Sequence, residues 1–498
     1  MQSRSLPGRP NLDHLRNEAK ALLRTLRERD PATKLTDAQR QLSREYGFPT
    51  WAKLREFVLK FARDGGPETV NRVLSAIQSQ DLEGALEILR EHPAPAMSSI
   101  HVMASLGLVE PMQEALASNP ELVKQRAGHP PATPLLYACF TPRYRDPEWH
   151  ALQERTVEAL LEAGADPNAK DGRYGVPALY GVTGMHNAPR VARLLLEAGA
   201  NPTDGESVFH AAEHFHSEAL ELLREFGVNL NHVGEWGNTP LYFLLRWHDV
   251  GKEPKVAQGV AWLLGNGADP NVPCGTEREN SLHVAARRGQ GPDVVHALLN
   301  HGADVNARRG DGATAWRLAK RNGHEEICRL LEKAGATTEP LTAADELLEA
   351  CGRGDAVAAA RLSSPALLAS LPRSDRAMLG EAAAAGRART VEACIAAGFD
   401  VNEVNDRAAT PLHESAINGY HEVVKALLAA NAQLEVRDPE HDATPLGWAV
   451  FGADYVRNRD GDYEATIRAL VSAGAKRPDT EPEPAHPGAR AALGLPPV

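Results

Sequence analysis

The sequence predicts an all-α solenoid of about twelve helix–turn–helix units, each closed by a hairpin-like loop, behind a small N-terminal helical domain. Three observations predict it. A short apolar phrase recurs as TPLLYACF at 133, TPLYFLLRW at 239, NSLHVAARRG at 280, TAWRLAKRNG at 314, TPLHESAING at 410 and TPLGWAVFG at 444. Positions 280 and 314 are 34 residues apart, as are 410 and 444. Each phrase leads into a second apolar stretch and a loop, as in VVHALLNHGADVNARRGDG or VVKALLAANAQLEVRD. Only 5% of the 498 residues are aromatic, low for a chain that builds one large globular core.

The first element is the head, residues 1–66, with 14 Lys/Arg against 8 Asp/Glu, a net of +6. The other 432 residues hold 40 against 58, a net of −18, which completes the overall −12. Leu12, Leu15, Ala19, Leu22, Leu23 and Leu26 recur at helical spacing. LTDAQRQLSREYGF starts on a Thr-Asp cap signal and ends near Gly47, and WAKLREFVLKFARD makes a third helix stopped by Gly65, Gly66 and Pro67. Helix–turn–helix character with Arg44, Lys53, Arg55 and Lys60 offers phosphate contacts, so a nucleic-acid-associated role is carried as an alternative.

Within a repeat, Thr410 can cap a helix whose first residue, Pro411, needs no N–H partner. Leu282, Leu412 and Leu446 are expected in the core, and Gly419 ends the first helix. EVVKALLAA makes an antiparallel second helix, and G-A-D-x-N turns the chain through left-handed backbone. One unit cannot bury its own apolar face, so neighbours stack. These T-P-L-H and G-A-D-x-N phrases, over roughly residues 69–477, resemble the ankyrin repeat. The head, with PNLDHLRNEAKALLR and YGFPTWAKLREFV, resembles a helical segment that precedes such repeats in bacterial proteins. The resemblance implies a non-enzymatic protein-binding scaffold.

Atypical units at 78–97 and 351–370 lack the G-A-D-x-N turn, and TTEPLT (337–342) precedes the second. Two stacks are therefore expected, 69–338 and 341–477, with one continuous solenoid as the alternative. The tail, 478–498, is Pro-rich and expected to be disordered. Inserts lengthen three units at 140–153, 246–255 and 451–464.

His210-Ala211-Ala212-Glu213-His214 fits the H-x-x-E-H pattern of zinc peptidases, with two histidines sharing a helix face. SVFHAA at 207–212 occupies the T-P-L-H-x-A slot, however, which places His210 with His101, His283 and His413 as a structural histidine bonding loop backbone. A zinc hydrolase is the least favoured alternative. D-x-x-x-N-x-D-G-D, from Asp454 to Asp462, lacks the spacing and distal Glu of a calcium loop. No catalytic residue, metal site or cofactor is assigned. No apolar run approaches the ~18 residues of a membrane span, and no hydrophobic run follows the N-terminal arginines, so a secretory signal is not expected. Five scattered cysteines without a C-x-x-C pair favour a reducing cytosol.

In ankyrin-like units, residues before the first-helix Gly and the loop ahead of the Thr face the groove. Carrying that placement along the chain gives Phe140, His214, Phe215, Arg246, Trp247, Arg287, Arg288, Arg321 and Asn322, with Trp236, Arg308 and Arg309 from the loops. Aromatic anchors beside arginines suit a binding hot spot. The expectation is an acidic protein or peptide segment bound along the groove of a cytoplasmic monomer, with no membrane and no required nucleic acid.

Overall fold

The computed structural model describes residues 12–46, 48–64, 67–172, 175–248, 250–405, 407–439, 441–456, 458–476, 484 and 486–496. Gly47, Gly65, Gly66 and the side chain of Lys60, used above, lie outside them. The chain forms two compact units. One comprises Met1–Leu244 with Glu253–Ala268, and the other Leu245–Lys252 with Asp269–Val498.

In the first unit the head is three helices, Leu12–Arg29, Leu35–Glu45 and Trp51–Asp64. They close a small core of Leu15, Ala19, Leu42, Tyr46, Leu54 and Val58. The Tyr46 hydroxyl, at the edge of that core, donates to Glu18 at 2.7 Å. The second helix begins two residues earlier than a cap at Thr36 suggests. Lys34 is its N-cap, and its backbone N–H donates to Asp37, which thereby closes the first turn from inside.

Each regular repeat behaves as its letters dictate. Helix Pro411–Ile417 follows an extended Thr410 whose hydroxyl accepts from the His413 N–H. Gly419 then turns at φ +67°, and helix His421–Ala429 runs back. Leu282, Leu412 and Leu446 are fully buried. The loops make isolated antiparallel bridges, such as Cys274–Glu279 and Arg308–Thr314, and among the described residues no strand forms.

The Asn of G-A-D-x-N joins one repeat to the next. Asn271 Nδ2 donates to the Gly302 carbonyl at 2.8 Å, while its Oδ1 accepts from the Asp304 N–H at 2.7 Å. Asn306 repeats this with Gly335 and Thr337, and Asn168 with Gly199 and Asn201. One amide thus satisfies a donor and an acceptor that the turns would otherwise leave to water. Glycines set the helix spacing. A Cβ on Gly259 would lie 2.0 Å from the Ala212 carbonyl oxygen, and one on Gly452 would lie 2.1 Å from that of Ile417.

Two expectations about organisation are corrected. The boundary near 340 does not separate compact bodies, because helix Ala315–Arg321 packs on helix Ala343–Gly352 inside the second unit. Thr342 caps the latter helix, and its buried Asp345 receives arginines from the former, so packing runs through TTEPLT. The tail is not wholly disordered either. Helix Pro487–Ala492 packs on Tyr463–Ser472 and buries Ala489. Arg490 holds it by donating to the Pro484 and Pro496 carbonyls at 3.1 and 2.6 Å. It covers apolar surface that a last repeat would otherwise leave to water. Residues 477–483, 485 and 497–498 lie outside the described set.

Candidate functional site

In the first unit, half-buried rings on successive repeats form a ladder. Phe140 tilts against Tyr180 with centroids 5.9 Å apart, Tyr180 lies 4.9 Å from His210, and His210 lies 5.5 Å from Phe243. Carboxylates flank the His210 rung. Glu213 contacts its Nδ1 at 2.6 Å and Glu206 its Nε2 at 3.4 Å. Burial pulls this imidazole down, yet the bonds to Glu206 and Glu213 outweigh it and raise it to about 9. Glu206 also accepts at 3.0 Å from the indole N–H of Trp236, which stays 71% exposed on its loop.

His210 therefore departs from the role expected of it. His101, His283 and His413 do bond loop carbonyls, of Gln125, Ala307 and Ala443. The helix around His210 starts one residue earlier than SVFHAA suggests, at Ser207 after an N-cap at Glu206. Phe215 then takes the left-handed position, φ +47°, that Gly419 takes nine residues after Thr410. His210 is thus equivalent to Glu414, and Phe209 fills the histidine slot. Both ring nitrogens of His210 meet carboxylates, and among the described residues no metal-binding cluster of His, Cys, Asp or Glu is found. The exposed His214 has its ring 5.5 Å from that of His216.

The second unit contains all six of the expected arginines, and four of them, Arg287, Arg308, Arg309 and Arg321, are held by the chain's own carboxylates. Arg309 is 4% exposed and bonds Glu279 at 2.7 Å and Asp311 at 2.8 Å, with Asp375 at 3.6 Å. Arg287 bonds the same Glu279 at 3.1 Å and also pairs with Glu381. Arg321 bonds Asp345 at 2.6 Å and Asp375 at 3.2 Å. Arg317 bonds Asp345 at 2.9 Å and Glu339 at 2.7 Å, and the exposed Arg308 also pairs with Glu339. Asn322 is buried, its amide donating to the Leu318 carbonyl. Arg288 is half-buried. Arg287, Arg309 and Arg321 thus stabilise the fold, and reversing Arg287 to Glu would break buried pairs before it altered any partner.

Trp247 is 46% exposed, with the guanidinium groups of Arg246 and Arg407 at 5.2 and 5.3 Å from its ring centroid. Further along, the rings of Phe451 and Tyr455, both exposed, lie tilted with centroids 4.8 Å apart, where a short π-helix at Gly452–Val456 carries the third insert. In that insert Asp462 caps a helix through the Ala465 N–H and Asp454 accepts from the His486 N–H. The first insert folds inward. Thr141 and Gln153 both donate to the Ser105 carbonyl, and the buried Tyr144 stacks on His186. In the second, Gln290 bonds the carbonyls of Leu245 and His248 and the N–H of Val250.

Burial pushes Glu279 up, but Arg287 and Arg309 overcome that and hold it at about 2. A carboxylate so depressed stabilises the fold above its unfolded value near 4.5, and loses that contribution as pH falls through 2. His186 and His324, held near 4 by burial, cost stability as pH falls from 6.5 through 4. His210 acts oppositely, its contribution being full below 6.5 and lost as pH rises through 9. Urea midpoints are therefore expected to fall steeply between pH 5 and 2.5, and His210→Phe to flatten the decline between pH 7 and 9.5. An unchanged alkaline slope in that variant would show that His210 is not held protonated.

Family models described as ankyrin repeats match residues 254–340 and 379–476 (three copies), 208–251 (many copies) and 132–172 (a single repeat), together just over half of the chain. A similar protein is SH3 and multiple ankyrin repeat domains protein 2 of Homo sapiens, 29% identical over 197 residues, 38% of this chain and 10% of that one. Ankyrin repeat and KH domain-containing protein mask-1 of Caenorhabditis elegans is 27% identical over 334 residues, 64% and 10%. Probable E3 ubiquitin-protein ligase XBOS34 of Oryza sativa subsp. japonica is 30% identical over 139 residues, 27% and 25%. The chain thus spans between a tenth and a quarter of the length of these relatives. A solved structure, the human ASB11 ankyrin repeat domain, is 24% identical with a TM-score of 0.36, covering 49% of this chain and 99% of that one. Among the described residues no helix is long and apolar enough to cross a membrane.

Proposed function

Because the chain is an ankyrin-repeat protein, a fold that mediates protein–protein interaction, we propose that it is a non-enzymatic scaffold, monomeric and cytoplasmic, whose partner docks on exposed aromatic anchors. Trp236 carries this reading. An indole 71% exposed leaves a large apolar face in water, while its N–H bond to Glu206 fixes the ring in one orientation. Such a ring offers contact area at little entropic cost on association. Met185 and Val233, also exposed in the same unit, add apolar area.

A segment of acidic residues along the whole groove is less favoured, since Arg287, Arg309 and Arg321 already hold carboxylates. The ring of Trp247 is faced by Arg246 and by Arg407, the latter already paired with Glu414 at 2.8 Å, so this position serves as a second aromatic anchor. The resemblance of the head to segments of bacterial proteins belongs to this reading too, although the relatives named above are eukaryotic. The ligase named among them raises an enzymatic role for that protein, and this chain presents no catalytic arrangement that we assign.

The test is Trp236→Ala, assayed against proteins that co-purify with the parent chain. Affinity is expected to fall at least tenfold, about 1.4 kcal/mol or more, with the melting temperature unchanged. Parent-like binding by Trp236→Ala and Trp247→Ala together would remove these anchors from the interface and leave Phe451 and Tyr455 as the better site.

A further inference from the structure

Glu206 serves two partners at once. As N-cap of helix Ser207–Glu213 it accepts from the Trp236 indole N–H through Oε1 at 3.0 Å, while its Oε2 faces His210 Nε2 at 3.4 Å. The other imidazole nitrogen, Nδ1, meets Glu213 at 2.6 Å. An exposed loop ring is thus tied, through one carboxylate, to the histidine rung of the ring ladder. We propose that His210 is the positioning residue of the docking surface, holding the Trp236 indole in place by donating to Glu206. This role rests on the docking reading of Trp236 and deepens it by naming what sets the ring's orientation. The same helix position ties a loop in the second unit, where Glu414 accepts from Asn405 and Arg407 at 2.7 and 2.8 Å.

The number of protons on the imidazole decides whether the tie holds. An imidazolium has two N–H donors and a neutral imidazole only one, so only the charged form donates to both carboxylates. Burial opposes that charge, but the bonds to Glu206 and Glu213 prevail and raise His210 to about 9. At neutral pH both carboxylates are therefore served. When the proton leaves, the remaining N–H stays on Nδ1, whose 2.6 Å bond to Glu213 is the shorter. Nε2 then turns a lone pair toward the Glu206 carboxylate, and two acceptors repel. Glu206 swings toward water and the indole loses its acceptor. A ring left free to turn must be ordered when a partner binds, which lowers affinity. The tie is thus present below about pH 9 and lost as pH rises through it. Other groups face the imidazole from each side. Tyr180 packs on it from the preceding repeat, its phenol pushed up to about 12 by burial, and the uncharged Phe243 from the following one. Ahead of the helix, Asp204 accepts from the N–H groups of Glu206 and Ser207 and from the Ser207 hydroxyl. His214, one turn on, lies against His216.

The experiment follows Trp236 in the full chain with no partner present. The chain is labelled with fluorotryptophan, and the Trp236 fluorine resonance is identified by its loss in Trp236→Phe. In the parent this resonance should move with pH, with a midpoint at about 9. In His210→Phe, which keeps the ladder of rings, it should stand at its alkaline position at every pH. In Glu206→Gln the amide carbonyl still accepts from the indole, and the amide N–H can donate to a neutral His210. That variant should keep the resonance at its neutral-pH position throughout. If His210→Phe fails to fold, His210→Gln, which likewise cannot titrate, replaces it. The proposal is overturned if the Trp236 resonance ignores pH in the parent, or titrates unchanged without His210. A resonance that behaves as expected, while Trp236→Ala still binds co-purifying proteins like the parent, would uphold the tie and overturn the docking role alone.

Discussion

Glu279→Ala is expected to cost about 3–5 kcal/mol, the range for removing one partner of a buried ion pair. Glu279 is 4% exposed and binds two guanidinium groups, those of Arg287 and Arg309. Arg309 is as buried as its partner and keeps only Asp311 and the more distant Asp375. The loss comes chiefly from the stranded cations, since the pair in place repays its own desolvation only in part. Chemical denaturation should show a lower midpoint at an unchanged slope. Glu279→Gln, which can still accept one hydrogen bond, should fall between the two. A change below about 1 kcal/mol in the alanine variant would mean that water reaches the network and screens it.

Cutting the chain at residue 340 is expected to do more. The fragment 341–480 would expose the surface of helix Ala343–Gly352 that packs on Ala315–Arg321. It would also take Asp345 and Asp375 away from Arg321 and Arg317. Asp345, fully buried and paired with two arginines in the intact unit, would keep only its bonds to Thr342. Circular dichroism of that fragment should show no cooperative melt, whereas residues 269–498, which keep the network whole, should melt sharply. A cooperative transition of 341–480 near the temperature of the full chain would restore two independent stacks.

The repeat fold was legible because its signals are local. Caps such as Thr410, the Pro that follows, and the Gly and Asn of each turn state their backbone roles letter by letter. Leu282, Leu412 and Leu446 were readable as core for the same reason. What failed was register and reach. His210 was misplaced by one residue because SVFHAA imitates the T-P-L-H-x-A phrase, while the actual cap, Glu206, is not a favoured N-cap residue. The ladder residues Tyr180 and Phe243 were missed, although an aromatic recurring beside the histidine slot was a usable signal. Among the groove residues, Trp236 and Trp247 are exposed as an anchor must be. Arg287, Arg309 and Arg321 are not available in that way, because apart from Asp311 beside Arg309 their carboxylates lie 8 to 94 residues away in sequence. No periodicity announces a pair at such separation.

The asparagine bridges between repeats have a mechanical consequence. They stand at Asn168, Asn231, Asn271 and Asn306, with the Thr203 hydroxyl taking the part at the turn between the first two, and a bridge stands again where Asn402 accepts from the Gln433 N–H. Over the stretch between, guanidinium–carboxylate pairs tie the repeats instead. Neutral amide bonds scarcely respond to salt, whereas ionic ties weaken with ionic strength to the extent that solvent reaches them. The cited pairs of the stretch from 337 to 402 have side chains at most 15% exposed, so brine weakens them little, and the force that extends this stretch should scarcely change with added salt.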